Sequence, residues 1–318
     1  MINTTQPLPS ISVIVPTLNG EKTLEQFFAS LHQQNLQPVE ILVADSSSED
    51  RTVAICKENG AKVWSISRHE FDHGGTRTFL VKQALGDIVV FFTQDATLAS
   101  ADALSKLVEP LLEFDTCAGS YGRQLPQPDA SWHATFLREF NYPNKSYLKT
   151  FADRERFGLK TIFTSNSFAA YKREQLFEVG CFKNGLIFGE DTCTVGRILE
   201  AGYTIAYVGD GAVYHSHNYS LVEEFRRSFD IGVLHSSEKW LLNLFGKAEG
   251  IGLEYVKSAL ARLNKEHRYL LSFNFILRTG MKFLGYKLGR SFQSLPVSLR
   301  PVLSMNSNWW RKEKYVIN

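Results

Sequence analysis

The run Val89-Val-Phe-Phe92, closed by Thr93-Gln94-Asp95-Ala96, constrains this chain more than any other stretch. A continuous apolar run of this length, bounded by polar residues, fits a strand buried on both faces. Such strands belong to open α/β sheets, where ligands bind beyond the carboxyl ends of the strands. Asp95 is therefore expected at a cleft on a rigid support, a place suited to a metal ion that holds a diphosphate.

The segments before it repeat the same logic. Ile11-Ser-Val-Ile-Val15 is a β-branched run that Pro16 should stop. Asn19-Gly20 makes a turn, and Leu24, Phe27, Phe28 and Leu31 fall on one face of a helix over 21–34. A second strand, 39–44, ends at Asp45-Ser-Ser-Ser48, and a helix runs from about Glu49 to Gly60. A strand over 62–66, a helix over 75–84 and a strand over 88–92 complete a βαβ series with a mostly parallel sheet. The first turn, Pro16-Thr-Leu-Asn-Gly-Glu21, lacks G-x-G-x-x-G, which disfavours a dinucleotide-binding Rossmann domain.

Downstream, helices are expected over 103–114, 172–179 and 191–201, and strands over 119–124, 162–171, 204–208 and 212–214. Asn166 falls in the middle of the strand over 162–171. The stretch 126–156 is rich in Pro, Asn and aromatics without clear periodicity, apart from a helix near 132–140. Long loops of this kind are often functional. From Ser220 the chain turns helical, with helices over 221–240, 255–263 and 269–288.

At 318 residues and 44% hydrophobic content the chain can bury a large core. A net charge of +2 argues against a general nucleic-acid partner. That balance hides an asymmetry, because from Lys257 onward 12 Lys/Arg stand against 2 Glu. The four cysteines are scattered with no C-x-x-C pair, as in a reduced cytosolic protein. No signal-peptide pattern opens the sequence, and no apolar run reaches the length of a membrane span.

Individual motifs each admit two readings. The Asp45 carboxylate could accept a base N–H, with Ser46 and its neighbours meeting ribose or phosphate, or it could cap the next helix. His73-Gly-Gly-Thr-Arg77 could bring backbone and a guanidinium to a phosphate, or be a flexible loop with a solvated arginine. His215 and His217, two apart in an extended segment, share one face and could join Asp95 around a cation, or be ordinary strand-end histidines. Glu190 and Asp191 open a helix, where a carboxylate could serve as a general base or complement the helix dipole.

Their order is more telling. Ser12-Val-Ile-Val-Pro-Thr-Leu-Asn19 with Glu21, Val43-Ala-Asp-Ser-Ser-Ser48, Gly86-Asp-Ile-Val-Val-Phe-Phe-Thr-Gln-Asp95 and Gly189-Glu-Asp191 resemble family 2 glycosyltransferases of the GT-A fold. His73-Gly-Gly-Thr-Arg77, Thr93-Gln-Asp-Ala96 and Tyr214-His-Ser-His-Asn-Tyr-Ser220 look most like bacterial rhamnosyltransferases within it. The resemblance covers about 10–220 strongly and the basic tail more loosely.

It implies a GT-A catalytic domain over 1–220, with a nucleotide-sugar half at about 10–97 and an acceptor half at about 98–220. Residues 221–318 form a basic amphipathic helical region. It further implies that Pro16, Thr17, Glu21, Asp45, Ser46, Arg77, Gln94 and Asp95 bind the nucleotide sugar. Asp95 with His215 or His217 would hold Mg2+ or Mn2+, Asp191 would be the base with Glu190 in support, and Asn166 would face the acceptor. Thr93 departs from the family's Asp-x-Asp form, so metal binding should be weak without donor. The expected reaction is inverting transfer of a sugar, L-rhamnose from dTDP-rhamnose, to a cell-surface glycan or lipid-linked acceptor. A UDP-sugar donor is the alternative within the family.

From other classes, a nucleotidyltransferase would want a Gly-rich basic loop after its first strand. An inactive binding subunit would tolerate losing Asp45, Asp95 or Asp191, and all three are present. Phe273, Phe275, Ile276, Leu277, Phe283 and Leu284, interleaved with Arg278, Lys282, Lys287 and Arg290, suggest a helix lying in an anionic membrane surface. This fits a cytoplasmic protein peripheral to the inner face of the plasma membrane. The other reading packs these helices on the catalytic domain or on a second subunit of a homo-oligomer.

Overall fold

In the computed structural model, which describes residues 9–246 and 249–311, the first half of the chain alternates strand and helix. β1 (Ile11–Thr17), α1 (Glu21–His32), β2 (Glu40–Asp45), α2 (Thr52–Glu58), β3 (Lys62–Ser65), α3 (His73–Gln83) and β4 (Ile88–Phe92) follow in turn. Residues 1–8 and the last residues of the basic tail, 312–318, lie outside the described residues.

β3, β2, β1 and β4 lie side by side and parallel, and every residue of β4 is buried. The strand signal at Ile88–Phe92 is thus realised as read. β1 does not stop at Pro16 but runs on to Thr17, with Pro16 opposite Ala44. On the β4 side the register ends at Ile14 opposite Phe91, so the missing N–H of Pro16 falls beyond that ladder.

The second half comprises β5 (Thr97–Leu98), α4 (Ala103–Glu113), β6 (Cys117–Leu125), α5 (Trp132–Asn141), β7 (Tyr147–Lys149) and α6 (Arg154–Phe157). β8 (Phe168–Lys172), α7 (Arg173–Glu178), α8 (Glu190–Glu200) and β9 (Thr204–Tyr214) follow. β8 joins β4 antiparallel, and β6 then β9 extend the same sheet, so this half is mixed. The two strands expected over 204–208 and 212–214 are one strand with a register shift against Gly122 and Arg123. β8 is shorter than its apolar pattern suggests, and Asn166 sits in the turn before it rather than mid-strand.

α9 (Leu221–Ser237), α10 (Lys239–Phe245), α11 (Glu249–Lys265), α12 (Tyr269–Arg290) and α13 (Arg300–Leu303) complete the chain. α9 and α12 meet backbone to backbone. A Cβ on Gly289 would lie 2.0 Å from the Phe229 carbonyl oxygen, and one on Gly285 would lie 2.3 Å from that of Phe225. Phe229, Val233, Leu234, Leu241, Phe245 and Trp309 belong to the same core cluster as Ile14 and Phe91. The helical region is therefore built onto the sheet domain. Among the described residues no helix is long and apolar enough to cross a membrane.

Candidate active site

The carboxyl ends of β1, β2 and β4 open into a cavity of about 1170 Å3. Pro16, Thr17 and Ser46 line it on one side. Asp45 lies behind that wall, 1% exposed. Thr17 Oγ1 donates to its Oδ1 at 3.0 Å, and Ser48 donates from its backbone N–H at 2.9 Å and its hydroxyl at 2.5 Å. Asp45 thus organises the 46–48 turn, in which Ser47 takes a positive φ. Glu21, at the start of α1, accepts from the Arg51 N–H at 3.3 Å and is not on the cavity wall. Gln94 reaches the cavity, but its amide clamps the Leu18 backbone, accepting from the N–H at 2.8 Å and donating to the carbonyl at 3.0 Å.

Asp95 faces two histidines from the loop after β9. His215 Nε2 lies 3.5 Å from one carboxylate oxygen and His217 Nε2 lies 3.9 Å from the other. The three donor atoms fall within 4.8 Å of one another. His215 Nδ1 lies 3.1 Å from Gln124 Oε1, an acceptor, so Nδ1 carries the proton and Nε2 offers its lone pair to Asp95. Two electron-rich atoms facing each other call for a cation between them, and the donor set fits one.

Burial, and then any charge on His215, push His217 down to about 4, against the pull of Asp95, so it is neutral at pH 7 as ligation requires. Burial raises Asp95, but a doubly protonated His215, through its hydrogen bond and charge, outweighs it and keeps the carboxyl well below its usual range; with the ring neutral, a cation takes that place. Arg138, on α5, donates from Nε to the His215 carbonyl at 2.7 Å.

A second cluster forms where α8 begins. Gly189 caps that helix in the left-handed region, at φ +78°. Glu190 is buried and pairs with Arg77 at 3.1 Å. Burial raises Glu190, and the charges of Arg77 and His73 more than reverse it. Asp191 borders the cavity beside this pair. Its Oδ1 accepts from the Thr192 N–H at 2.7 Å and its Oδ2 from the Asn166 N–H at 3.2 Å. Burial, then the charge of Glu190, push it up to about 6. A carboxylate so placed can take a proton near neutral pH. The Asn166 side chain accepts from the Tyr171 hydroxyl at 3.1 Å and donates to Glu190 at 3.4 Å, so this residue positions the acidic pair.

The Gly74-Gly75 pair is used for packing. Asp72 caps α3 by accepting from the Gly75 N–H at 2.7 Å, and a Cβ on Gly74 would lie 2.0 Å from the Lys183 carbonyl oxygen. Arg77 lines the cavity, yet its guanidinium is engaged by Glu190 and by the His73 carbonyl at 3.1 Å. It is thus not a solvated arginine, and its buried Nε has no hydrogen-bond partner among the described residues.

The far wall comes from the C-terminal region. Met305, Asn306, Asn308 and Trp309 line the cavity. The buried Asp230 carboxylate on α9 holds them, accepting from the Ser304 hydroxyl at 2.6 Å, from the Met305 and Asn306 N–H groups at 3.1 Å each and from the Asn306 amide at 2.9 Å. Trp309 Nε1 donates to the Gly185 carbonyl at 3.1 Å. Sequence reasoning missed Gln124, Arg138, Arg227 and Asp230. Each stands alone in its segment; Gln124, Arg138 and Asp230 take their roles from residues about 75 to 90 positions away, as in the 77-residue span from Arg138 to His215, and Arg227 from Phe188 and Tyr219.

A family model described as glycosyl transferase family 2 matches residues 12–180. The O-antigen chain rhamnosyltransferase RfbN of Salmonella typhimurium is 40% identical over 311 residues, covering 96% of this chain and 97% of that protein. The O-antigen chain rhamnosyltransferase WbaN of Salmonella anatum is 40% identical over 310 residues, covering 97% and 98%. Among solved structures, the mannosyltransferase PcManGT of Pyrobaculum calidifontis, in complex with GDP-Man and Mn2+, superposes with a TM-score of 0.59 at 20% identity, covering 96% of this chain and 88% of that one. TarS 1-349 of S. aureus with UDP-GlcNAc gives 0.54 at 17%, covering 96% and 90%. The fold is GT-A.

Proposed function

The chain belongs to glycosyl transferase family 2 and is a glycosyltransferase, and from that premise we propose that it transfers L-rhamnose from dTDP-rhamnose to a hydroxyl of a lipid-linked cell-surface glycan, with inversion. The observation that carries the sugar is the 40% identity to two O-antigen rhamnosyltransferases along nearly the whole chain.

In this reading Pro16, Thr17 and Ser46 border the nucleotide, and Asp45 shapes their loop. Asp191 removes the proton of the acceptor hydroxyl as that oxygen attacks the anomeric carbon from the face opposite the leaving diphosphate. Glu190, held ionised by Arg77, raises the basicity of Asp191 and is not itself the base. Asp95, His215 and His217 would hold the divalent ion, whose chemistry is to offset charge on the leaving diphosphate. Two imidazoles beside one carboxylate suit Mn2+ better than Mg2+.

The outer face of α12 supports docking on an anionic membrane. Leu270 is 90% exposed, Phe273 70% and Phe283 60%, while Arg278 on the opposite face lines the cavity. One helix would then face both the bilayer and the site that receives a lipid-linked acceptor.

Nucleoside diphosphate release from a panel of nucleotide sugars, with Mn2+ or Mg2+ and with or without EDTA, tests the assignment. Chelator-sensitive turnover of dTDP-rhamnose is expected. Turnover of a UDP-sugar instead would keep the family and discard rhamnose.

A further inference from the structure

Six Lys and Arg side chains stand on the cavity wall: Lys22, Arg68, Arg77, Arg138, Arg227 and Arg278. Charge pairing separates them. Arg68 pairs with Glu49 at 2.9 Å, Arg77 with Glu190 at 3.1 Å and Arg278 with Glu224 at 3.3 Å. Among the described residues, no carboxylate forms an ion pair with Lys22, Arg138 or Arg227. The two unpaired arginines both sit against the Asp95 triad. Arg138 is fixed there by its Nε–H bond to the His215 carbonyl. Arg227 stands between two aromatic faces, 5.9 Å from the Phe188 ring centre and 5.8 Å from that of Tyr219. The Tyr219 ring in turn lies 5.3 Å from the His217 ring.

Burial lowers Arg138 and the charge of Arg227 adds to it, while Asp95, the carboxylate that pulls the other way, already faces two histidines. Guanidinium remains charged regardless, so the arrangement is complete only with an anion. The forked geometry of each group matches phosphate oxygens.

We propose that Arg138 and Arg227 form the guanidinium clamp for the donor's diphosphate, beside the metal site, and that Arg77 serves Glu190 instead. The clamp rests on the donor class proposed above. Its two arms come from α5 and α9, one held at the His215 carbonyl and the other beside Tyr219, so two separate elements would grip the diphosphate. As the bond to the anomeric carbon breaks, charge grows on the same oxygens, so the clamp should strengthen toward the transition state.

Calorimetric titration of inorganic pyrophosphate with Mn2+, and separately of dTDP with Mn2+, into the wild-type chain and into Arg138→Gln, Arg138→Lys, Arg227→Gln and Arg68→Gln variants tests this. At least about tenfold weaker binding of both probes is expected for Arg138→Gln and for Arg227→Gln. Arg138→Lys should recover only part of the loss, and Arg68→Gln should stay within about twofold of wild type. Pyrophosphate affinity unchanged in both glutamine variants would overturn the clamp, as would a wild-type chain that does not bind pyrophosphate. Pyrophosphate binding that depends on both arginines, in a protein that turns over no nucleotide sugar, would uphold the clamp and remove the donor assignment.

Discussion

Asp191 has the environment of a base that works near neutrality, because burial and the neighbouring Glu190 push its pKa up to about 6. The sign follows directly. Below about pH 6 the carboxyl holds its proton and cannot accept another, so kcat/KM should rise with pH through that region and level off above it. Asp191→Asn should keep nucleoside diphosphate affinity and lose transfer by about 10^2–10^4-fold, read as released product. Near-normal turnover would remove Asp191 from the role. Gln124 orients His215 from outside the donor set, so Gln124→Ala should weaken Mn2+ binding about 10–100-fold, measured by titration followed through Mn2+ resonance. At this scale Asp95 and the His-x-His pair were legible, since an extended segment turns residues two apart to one face. Arg77 was read as a nucleotide ligand because its neighbouring glycines advertise a ligand loop, and nothing local reveals its ion pair with Glu190. Asn166 was read as facing the acceptor, and nothing local reveals its hydrogen bonds to Asp191, Glu190 and Tyr171.

The helices of the C-terminal region owe their arrangement to close contact between backbones. Gly289 leaves no room for a methyl group against the Phe229 carbonyl, and α9 cannot retreat without opening the core around Phe229. Gly289→Ala should therefore destabilise the fold by about 1–3 kcal/mol in chemical denaturation. Asp230 ties α9 to the 304–306 turn, and Asp230→Ala strips the acceptor from two backbone N–H groups and a hydroxyl. A loss of at least about 2 kcal/mol in stability is expected, together with a raised KM for the acceptor. Strands and helices with clean periodicity were readable to within a few residues, as for α1 and β4. β7 was not. It has three residues, and its buried member, Lys149, is an amine held by the Lys160 and Phe163 carbonyls at 3.1 and 2.7 Å, which breaks any apolar pattern. β9 was split in two because Gly209, Asp210 and Gly211 read as a turn, whereas the sheet absorbs them as an irregularity.

At the scale of the molecule, the sheet and the helical region share one core and enclose one cavity, so a boundary near residue 220 marks a change of secondary structure more than a seam. The outward face of α12 is what the shared core leaves over. Phe273→Glu and Phe283→Glu together should abolish co-sedimentation with anionic liposomes at low salt while leaving donor hydrolysis intact. Equal sedimentation of variant and wild type would leave that face without a membrane role. The fold class was readable from the first hundred residues, because parallel strands announce themselves locally. The far wall was not, because the Ser304–Trp309 turn has no motif of its own and takes its meaning from Asp230 and Gly185. That distance along the chain also sets an order in time. A ribosome releases the parallel strands first and the 304–309 turn long afterwards. Through most of its synthesis the growing chain would thus have a place for the donor and no closed chamber in which to spend it. Competence would arrive in a single late step, once Trp309 has emerged and docked.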